Sequence, residues 1–425
     1  MLYHVHEIGR ATLEPVRIAA TVGEMVFSNT YNPWSYTWAG KAIAAGCQVF
    51  ESITRHYEKP KFGLNDTIID GRRVKVEVEI VGRKSFCQLK HFKRAEERPD
   101  DPKLLIVAPL SGHFATLLRG TVETLLPDHD IYITDWRDAR EVPIFEGHFD
   151  LDDYIDYIID YLRMLGPNTH IMAVCQPAVP VLAAVSLMAE NDEPCQPSSM
   201  ILMGGPIDTR KSPTVPNNLA TEHSYDWFEN TLIARVPPTA PGFGRRVYPG
   251  FLQLTGFVSM NLDRHMDSHF QLFNHLIEGD GDSVEKHREF YEEYNAVMDL
   301  TAEFYLQTIK TVFQDHALPK GEMMHRDRLV KPSAIKKTAV LTVEGEKDDI
   351  TGPGQTQATH ELCSGLPDHL HKDYVQPGVG HYGVFNGRRW HNEIAPVVRE
   401  FIREHDVPVM SARRTARSTT RKAAE

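Results

Sequence analysis

Hydrophobic and polar positions divide the chain into stretches of different period. Val74, Val76, Val78 and Ile80 alternate with charged or polar neighbours, the period-two signature of a half-buried strand. Gly82-Arg83-Lys84 turns that strand into a second one over 85–92, and the charged stretch 93–101 follows as a loop. Lys103-Leu104-Leu105-Ile106-Val107-Ala108-Pro109 is a short continuous apolar run, which predicts a strand covered on both faces, as in a parallel sheet. Further short strands are predicted over 131–134, 169–174, 200–205, 338–343 and 371–375. Helical patterns lie between them. In 150–165, Tyr154, Ile158 and Tyr161 recur at helical spacing while Asp152, Asp153, Asp156 and Asp160 mostly face outward. The Ala- and Val-rich segment 180–187 reads as a buried helix, and 353–366 and 390–404 read as helices too. Strand–helix alternation of this kind predicts a parallel α/β sheet.

Three stretches depart from the alternation. Residues 1–65 form a helical extension, with helices over 16–27 and 39–56 separated by Asn29-Thr30-Tyr31-Asn32-Pro33-Trp34. Trp34, Tyr36, Trp38 and Phe50 near the second helix suit a surface for an apolar partner or polymer, or else a pair of helices packed on the body. Residues 207–337 hold Pro and aromatic segments and a long helical-looking run over 285–313, and are expected to form a mostly helical inserted cap. The core then has two parts, 66–206 and 338–405. The tail, 406–425, carries Arg413, Arg414, Arg417, Arg421 and Lys422 among Ser, Thr and Ala; it cannot build a core and is expected to be disordered.

Composition narrows the class. Over 425 residues, 41% hydrophobic and 24% charged is the balance of a soluble globular protein. No apolar run approaches the roughly 18 residues of a membrane span, and the N-terminus lacks the pattern of a secretory signal. The cysteines Cys47, Cys87, Cys175, Cys195 and Cys363 are scattered, odd in number and without a Cys-x-x-Cys pair. Reduced thiols in a cytoplasmic setting are expected, with neither disulfide framework nor zinc site. A net charge of −12 disfavours nucleic-acid binding by the folded body. Asp263, His265 and His269 lie close in sequence but form no His-Glu-x-x-His pattern, so no metal is expected. There is no Walker loop and no Gly-x-Gly-x-x-Gly after a strand.

The candidate chemistry begins at Cys175, where the run Thr169-His170-Ile171-Met172-Ala173-Val174 ends and an apolar helix begins. Strand, tight turn and helix in that order are the pattern of a nucleophile elbow in an α/β-hydrolase fold, whose triad partners follow as acid and then histidine. Gly345-Glu346-Lys347-Asp348-Asp349 follows a later strand, and Gly378-Val379-Gly380-His381-Tyr382-Gly383 follows the last. Asp348 is preferred over Asp349 as the acid, on its spacing from Gly345. A free thiol has roughly a few per cent thiolate at neutral pH. His381 would take its proton, the following helix N-terminus would stabilise the thiolate, and Asp348 would orient the imidazole. The oxyanion donors are expected at the backbone of Gln176 and of Ser111, with Leu110 and Gly112 as neighbours of the latter. His113 is either a further polar group there or a packing histidine.

Ala173-Val174-Cys175-Gln176-Pro177, together with the Asp348 and His381 loops, resembles the intracellular polyhydroxybutyrate (polyhydroxyalkanoate) depolymerases over about residues 1–405. The resemblance implies a Cys175–Asp348–His381 triad and breakdown of cytoplasmic storage granules, with the granule surface as partner. It implies hydroxybutyrate oligomers and monomer as products, and no cofactor beyond coenzyme A as a possible acyl acceptor. Polyhydroxyalkanoate synthases also use Cys, Asp and His on this fold, and Asp135-Trp136-Arg137 is similar to them. Their elbow is Gly-x-Cys-x-Gly, and Ala173 and Pro177 in place of both glycines favour the depolymerase. A granule-coating protein with a vestigial triad is the reading from a different class.

Overall fold

The computed structural model describes residues 2–96 and 98–406. Two helices, α1 (Leu2–Phe27) and α2 (Trp38–Thr54), pack on each other across a 3-10 turn at Pro33–Tyr36. Thr37 caps α2 by accepting the Gly40 N–H at 3.1 Å. α1 starts well before the expected Val16, running through Pro15 on its exposed side.

The strands β1 (Asp66–Ile69), β2 (Arg72–Arg83), β3 (Cys87–Arg94), β4 (Lys103–Val107), β5 (Asp130–Trp136), β6 (Thr169–Val174) and β7 (Ser199–Met203) follow. Between them lie α3 (Arg119–Leu125), α4 (Leu151–Leu165) and α5 (Ala178–Glu190). Residues 204–338 then leave the sheet. They hold α6 (Val215–Glu222), α7 (Tyr225–Leu232), β8 (Ala234–Arg235), β9 (Arg246–Tyr248), α8 (Gly250–Met260), α9 (Leu262–Glu278), α10 (Gly281–Asn295), β10 (Leu300–Thr301), α11 (Ala302–Thr308), β11 (Met324–His325) and β12 (Arg328–Leu329). The chain returns to the sheet at β13 (Ala339–Gly345), and ends with α12 (Thr359–Leu362), β14 (His371–Gln376), α13 (Gly387–Arg389) and α14 (Ala395–Glu404).

The large sheet has the order β1-β2-β3-β5-β4-β6-β7-β13-β14. β3 is antiparallel to both β2 and β5, and every pair from β5 to β14 is parallel. Counted from β2, one antiparallel strand near the start, one crossover and then parallel strands outward are the α/β-hydrolase fold. The central strands β6, β7 and β13 are buried along their whole length, which is why they read as continuous apolar runs. α5 is buried from Ala178 to Met188, so its sequence is apolar on all sides.

Two expected helices are cut by polar backbone commitments. The run over 285–313 breaks after Asn295, because 297–301 form other pairings: Val297 bridges His113, Met298 N–H donates to Gly112 O at 2.7 Å, and β10 pairs with β9. In 353–366 only Thr359–Leu362 is α-helical. The buried Glu344 carboxylate accepts the N–H groups of Gly354, Thr356 and Gln357 at 2.7–3.0 Å, fixing that stretch as turns. The tail expected from 406 lies outside the described residues except for Asp406.

The N-terminal helices contact the inserted segment. Tyr3 meets the Phe251 ring edge-on at 5.6 Å, His6 stacks on it at 4.0 Å, and α2 packs on α9. Packing does not cover the aromatic group: Trp34, Tyr36 and Trp38 are 61%, 70% and 72% exposed. Among the described residues no helix is long and apolar enough to cross a membrane.

Candidate active site

β6 delivers Cys175 to the end of the sheet's central strand. Its N–H donates to Met203 O at 2.7 Å and its carbonyl accepts the Ala178 N–H at 3.0 Å, so the chain turns within three residues from strand to helix. The turn forces Cys175 to φ +69°, the left-handed region that a non-glycine residue rarely occupies. A positive-φ nucleophile between strand and helix is the strained geometry of an elbow. Ala173 is fully buried, and Pro177 sits at the N-cap of α5, where no intrahelical bond needs its missing N–H. The N-terminus of α5 therefore faces the thiol with its partial positive charge.

Gly204 and Gly205, directly after β7, make room for the other parts. A Cβ on Gly205 would stand 2.1 Å from the Ala178 Cβ. One on Gly204, at φ +55°, would meet His381 Cε1 at 3.3 Å and Asp348 Oδ2 at 3.4 Å. The sequence signal for this feature is two successive glycines at a strand end.

Asp348 and His381 come together from separate loops. His381 Nδ1 donates to Asp348 Oδ2 at 2.8 Å, and Asp348 Oδ1 accepts the N–H groups of Ile350 and Thr351 at 2.9 and 2.8 Å. With Asp348, Cys175 also acts on His381 and raises its pKa. Burial by itself would push the imidazole down, but the charges of Asp348 and Cys175 and the Asp348 hydrogen bond outweigh it and hold His381 well above its usual range. Asp349, the competing acid, is exposed and accepts from the Asn261 amide at 3.3 Å instead.

The Gln176 side chain ties the elbow to the loop after β4, accepting the Leu110 N–H at 3.4 Å. That leaves Leu110 engaged, whereas no hydrogen bond engages the main-chain N–H of Gln176 or Ser111 among the described residues. The same loop is anchored from beneath: Trp136 Nε1 donates to Ala108 O at 2.8 Å. Asp135 beside it is paired with Lys59 and Lys90. Asp135-Trp136-Arg137 thus braces the loop after β4. His113 is a packing histidine, its Nε2 bonded to Tyr294 O at 3.0 Å and its pKa pushed down to about 4 by burial, against the opposing pull of that carbonyl.

A cavity of about 570 Å³ opens between the inserted helices and the two triad loops, within the range of small-molecule sites. His381 and Tyr382 form its floor residues from the core; Phe257, Arg264, His265 and Tyr294 come from α8–α10, and Lys347 and Asp349 from the acid loop. Cys175 itself is not part of this wall but is partly exposed, and its charge acts on His381, which is part of it. His265 is turned onto the Tyr291 hydroxyl at 2.8 Å. The one cluster of metal-ligand atoms among the described residues is His148, Asp150 and Asp153, where Asp150 and Asp153 form the capping box of α4.

Residues 204–406 match the family model described as PHB de-polymerase C-terminus. The chain is similar to the poly(3-hydroxyalkanoate) polymerase subunit PhaC of Haloarcula marismortui, 22% identical over 319 residues, which is 73% of this chain and 62% of that one. It is similar to the PhaC of Synechocystis sp., 27% identical over 106 residues, covering 25% and 27% of the two chains. The matches thus span less than two thirds of these relatives. Among solved structures, DcsB in complex with its substrate analogue is 13% identical with TM-score 0.45, covering 78% of this chain and 99% of that one. A thermophilic esterase from Thermogutta terrifontis is 12% identical with TM-score 0.41, covering 79% and 100%. The chain is an α/β-hydrolase-fold protein whose sequence likenesses are to proteins of polyhydroxyalkanoate chemistry.

Proposed function

We propose that this protein is an acyl-transfer enzyme that opens polyhydroxyalkanoate ester bonds through a thioester on Cys175. One observation carries the reading: His381 is bonded to Asp348 and feels the charge of Cys175, placed at the strained corner before a helix. In the first step the Cys175 sulfur bonds to the ester carbonyl carbon. The carbonyl electrons move to oxygen, which the Gln176 and Ser111 N–H groups receive. His381, having taken the thiol proton, gives it to the leaving oxygen as the C–O bond breaks, freeing a chain with a hydroxyl end. In the second step His381 takes a proton from water or from an acceptor thiol, which adds to the thioester carbonyl. Cys175 then leaves and recovers a proton from His381. Asp348 stabilises the imidazolium at both stages.

The direction of degradation is supported by the family model that matches 204–406, a stretch that contains Asp348, His381 and most of the cavity wall. The Ala173 and Pro177 elbow supports it too. Polymerisation uses the same thioester in reverse, from a hydroxyacyl thioester donor to a chain hydroxyl. Both named relatives being polymerase subunits favours that second reading. Cytoplasmic granules are the proposed place of action.

The test is to incubate the purified protein with amorphous polyester granules, and separately with 3-hydroxybutyryl-CoA, for wild type and Cys175→Ala. Soluble 3-hydroxybutyrate released by wild type alone supports degradation. Polymer growth from the CoA ester supports the polymerase. Granule binding without turnover of either would leave a coat protein and sink the catalytic reading.

A further inference from the structure

Two cations at the cavity over His381 lack partners. Arg264 on α9 and Lys347 on the loop after β13 both line it, and neither side chain has a hydrogen bond or ion pair among the described residues. Carboxylates stand near each in sequence, yet are committed elsewhere or left unpaired. Beside Lys347, Glu346 accepts the Gly378 N–H at 2.7 Å and Asp348 is bound to His381. Asp267, one turn from Arg264, forms no ion pair with it. Asp349 is the one carboxylate of the wall, and it accepts from Asn261 rather than from either cation. Arg264 and Asp349 line the same wall, and no ion pair joins them among the described residues. The wall sets two cations, Arg264 and Lys347, against one carboxylate, Asp349, an excess of positive charge in a protein of net charge −12. A concave cationic site inside an acidic molecule concentrates anions where the rest of the surface repels them.

A neutral polyester interior offers such a site nothing. We propose that Arg264 and Lys347 form an anion subsite at the cavity mouth, which takes an oxyanion carried by the reactants. That anion is the terminal carboxylate of a short hydroxyacyl chain or a phosphate of a coenzyme A acceptor. Arg264 offers a planar fork of donors and Lys347 a mobile point charge, a pairing suited to either group. The inference rests on the acyl-transfer reading of the triad, and adds that chain ends and short oligomers are selected over internal segments.

The test compares kcat/KM for a hydroxybutyrate trimer as free acid and as its methyl ester, and thioester release by coenzyme A and by phosphate-free pantetheine, at low ionic strength. Wild type, Arg264→Gln and Lys347→Gln are measured. A charge-assisted contact predicts roughly a tenfold preference for the charged member of one pair, lost in the variants and weakened by salt. Loss of the acid-over-ester preference assigns the subsite to the chain carboxylate, and loss of the coenzyme A preference assigns it to the acceptor phosphate. Preferences that are absent in wild type, or unchanged in both variants, overturn the proposal. Calorimetric titration of Cys175→Ala with the trimer acid and with coenzyme A separates the two readings. Binding that depends on Arg264 and Lys347 in a protein whose wild type turns over nothing would keep the subsite while the acyl-transfer reading falls.

Discussion

At the scale of single residues, contacts separate the two candidate acids. Asp348 and Asp349 are adjacent and chemically alike, but one is buried with three hydrogen bonds aimed at it and the other looks into the cavity. Asp348→Asn keeps the volume and removes the charge that favours the imidazolium, while offering His381 the wrong tautomer. A loss of kcat by about 10³–10⁴ is expected, measured on a soluble hydroxybutyrate ester, with Asp349→Asn within about tenfold of wild type. A larger loss at Asp349 would reverse the assignment. Gly205 makes a second test. Its missing side chain lets β7 approach the first turn of α5, and an added methyl would stand 2.1 Å from the Ala178 Cβ. Gly205→Ala is therefore expected to push the helix off the strand, cost about 1–3 kcal/mol in denaturant unfolding, and lower kcat by displacing Cys175. An alanine variant with wild-type stability and rate would show that the elbow tolerates movement there.

At the scale of elements, the junction between core and insertion depends on a buried acid. Asp299 precedes β10, and its N–H donates to Asp138 Oδ1 at 3.1 Å while its Oδ1 accepts the Gly250 N–H at the start of α8 at 2.9 Å. Its Oδ2 is buried without a partner among the described residues. Burial, opposed by the Gly250 N–H, pushes this carboxyl up to about 7. An unfolded Asp titrates near 4, so the folded state holds the proton more tightly. The group's contribution to stability is whole below about pH 4 and is lost as the pH rises through about 7. Asp299→Asn removes the charge and keeps an acceptor for the Gly250 N–H. Its thermal midpoint is expected to exceed wild type by several degrees at pH 8 and by less at pH 5; a gain independent of pH would remove Asp299 as the titrating group. Elements of this kind were hard to read in the sequence. Continuous apolar runs announced β4, β6, β7 and β13, because strands buried on both faces leave no polar positions. The two helices that were misread, over 285–313 and 353–366, have helical composition but are broken by distant groups, Gly112 O and the Glu344 carboxylate. Local pattern carries no trace of such partners. Cys175, Asp348 and His381 were legible through their order and their place after strands. Arg264 and the cavity were not, since they depend on how α8–α10 lie over those loops.

At the scale of the whole molecule, burial is divided unevenly between the two faces of the site. The sheet and α5 are sealed: β6, β7 and β13 are buried throughout, and α5 is buried from Ala178 to Met188. The helices across the cavity are lightly held. α8 buries only Gly250 and Gln253, α9 only His265 and Leu272, and α10 only Val284, Tyr291 and Tyr294. Leu262, Met266 and Phe270 on α9 stay exposed, as do Val22 and Met25 on α1. Apolar burial is the main source of local stability, so the free energy of opening should fall from the sheet to these helices. Amide hydrogen exchange is accordingly expected to be fastest in α8–α10 and slowest in β6, β7 and α5, with limited proteolysis cutting first near the α9–α10 turn at Gly279. The order matters for function. Uneven burial lets α8–α10 move while the Cys175, Asp348 and His381 side stays assembled. If the inserted helices exchanged as slowly as β6, the cavity would be a fixed mouth, and only substrates able to pass it in its present form would reach the thiol.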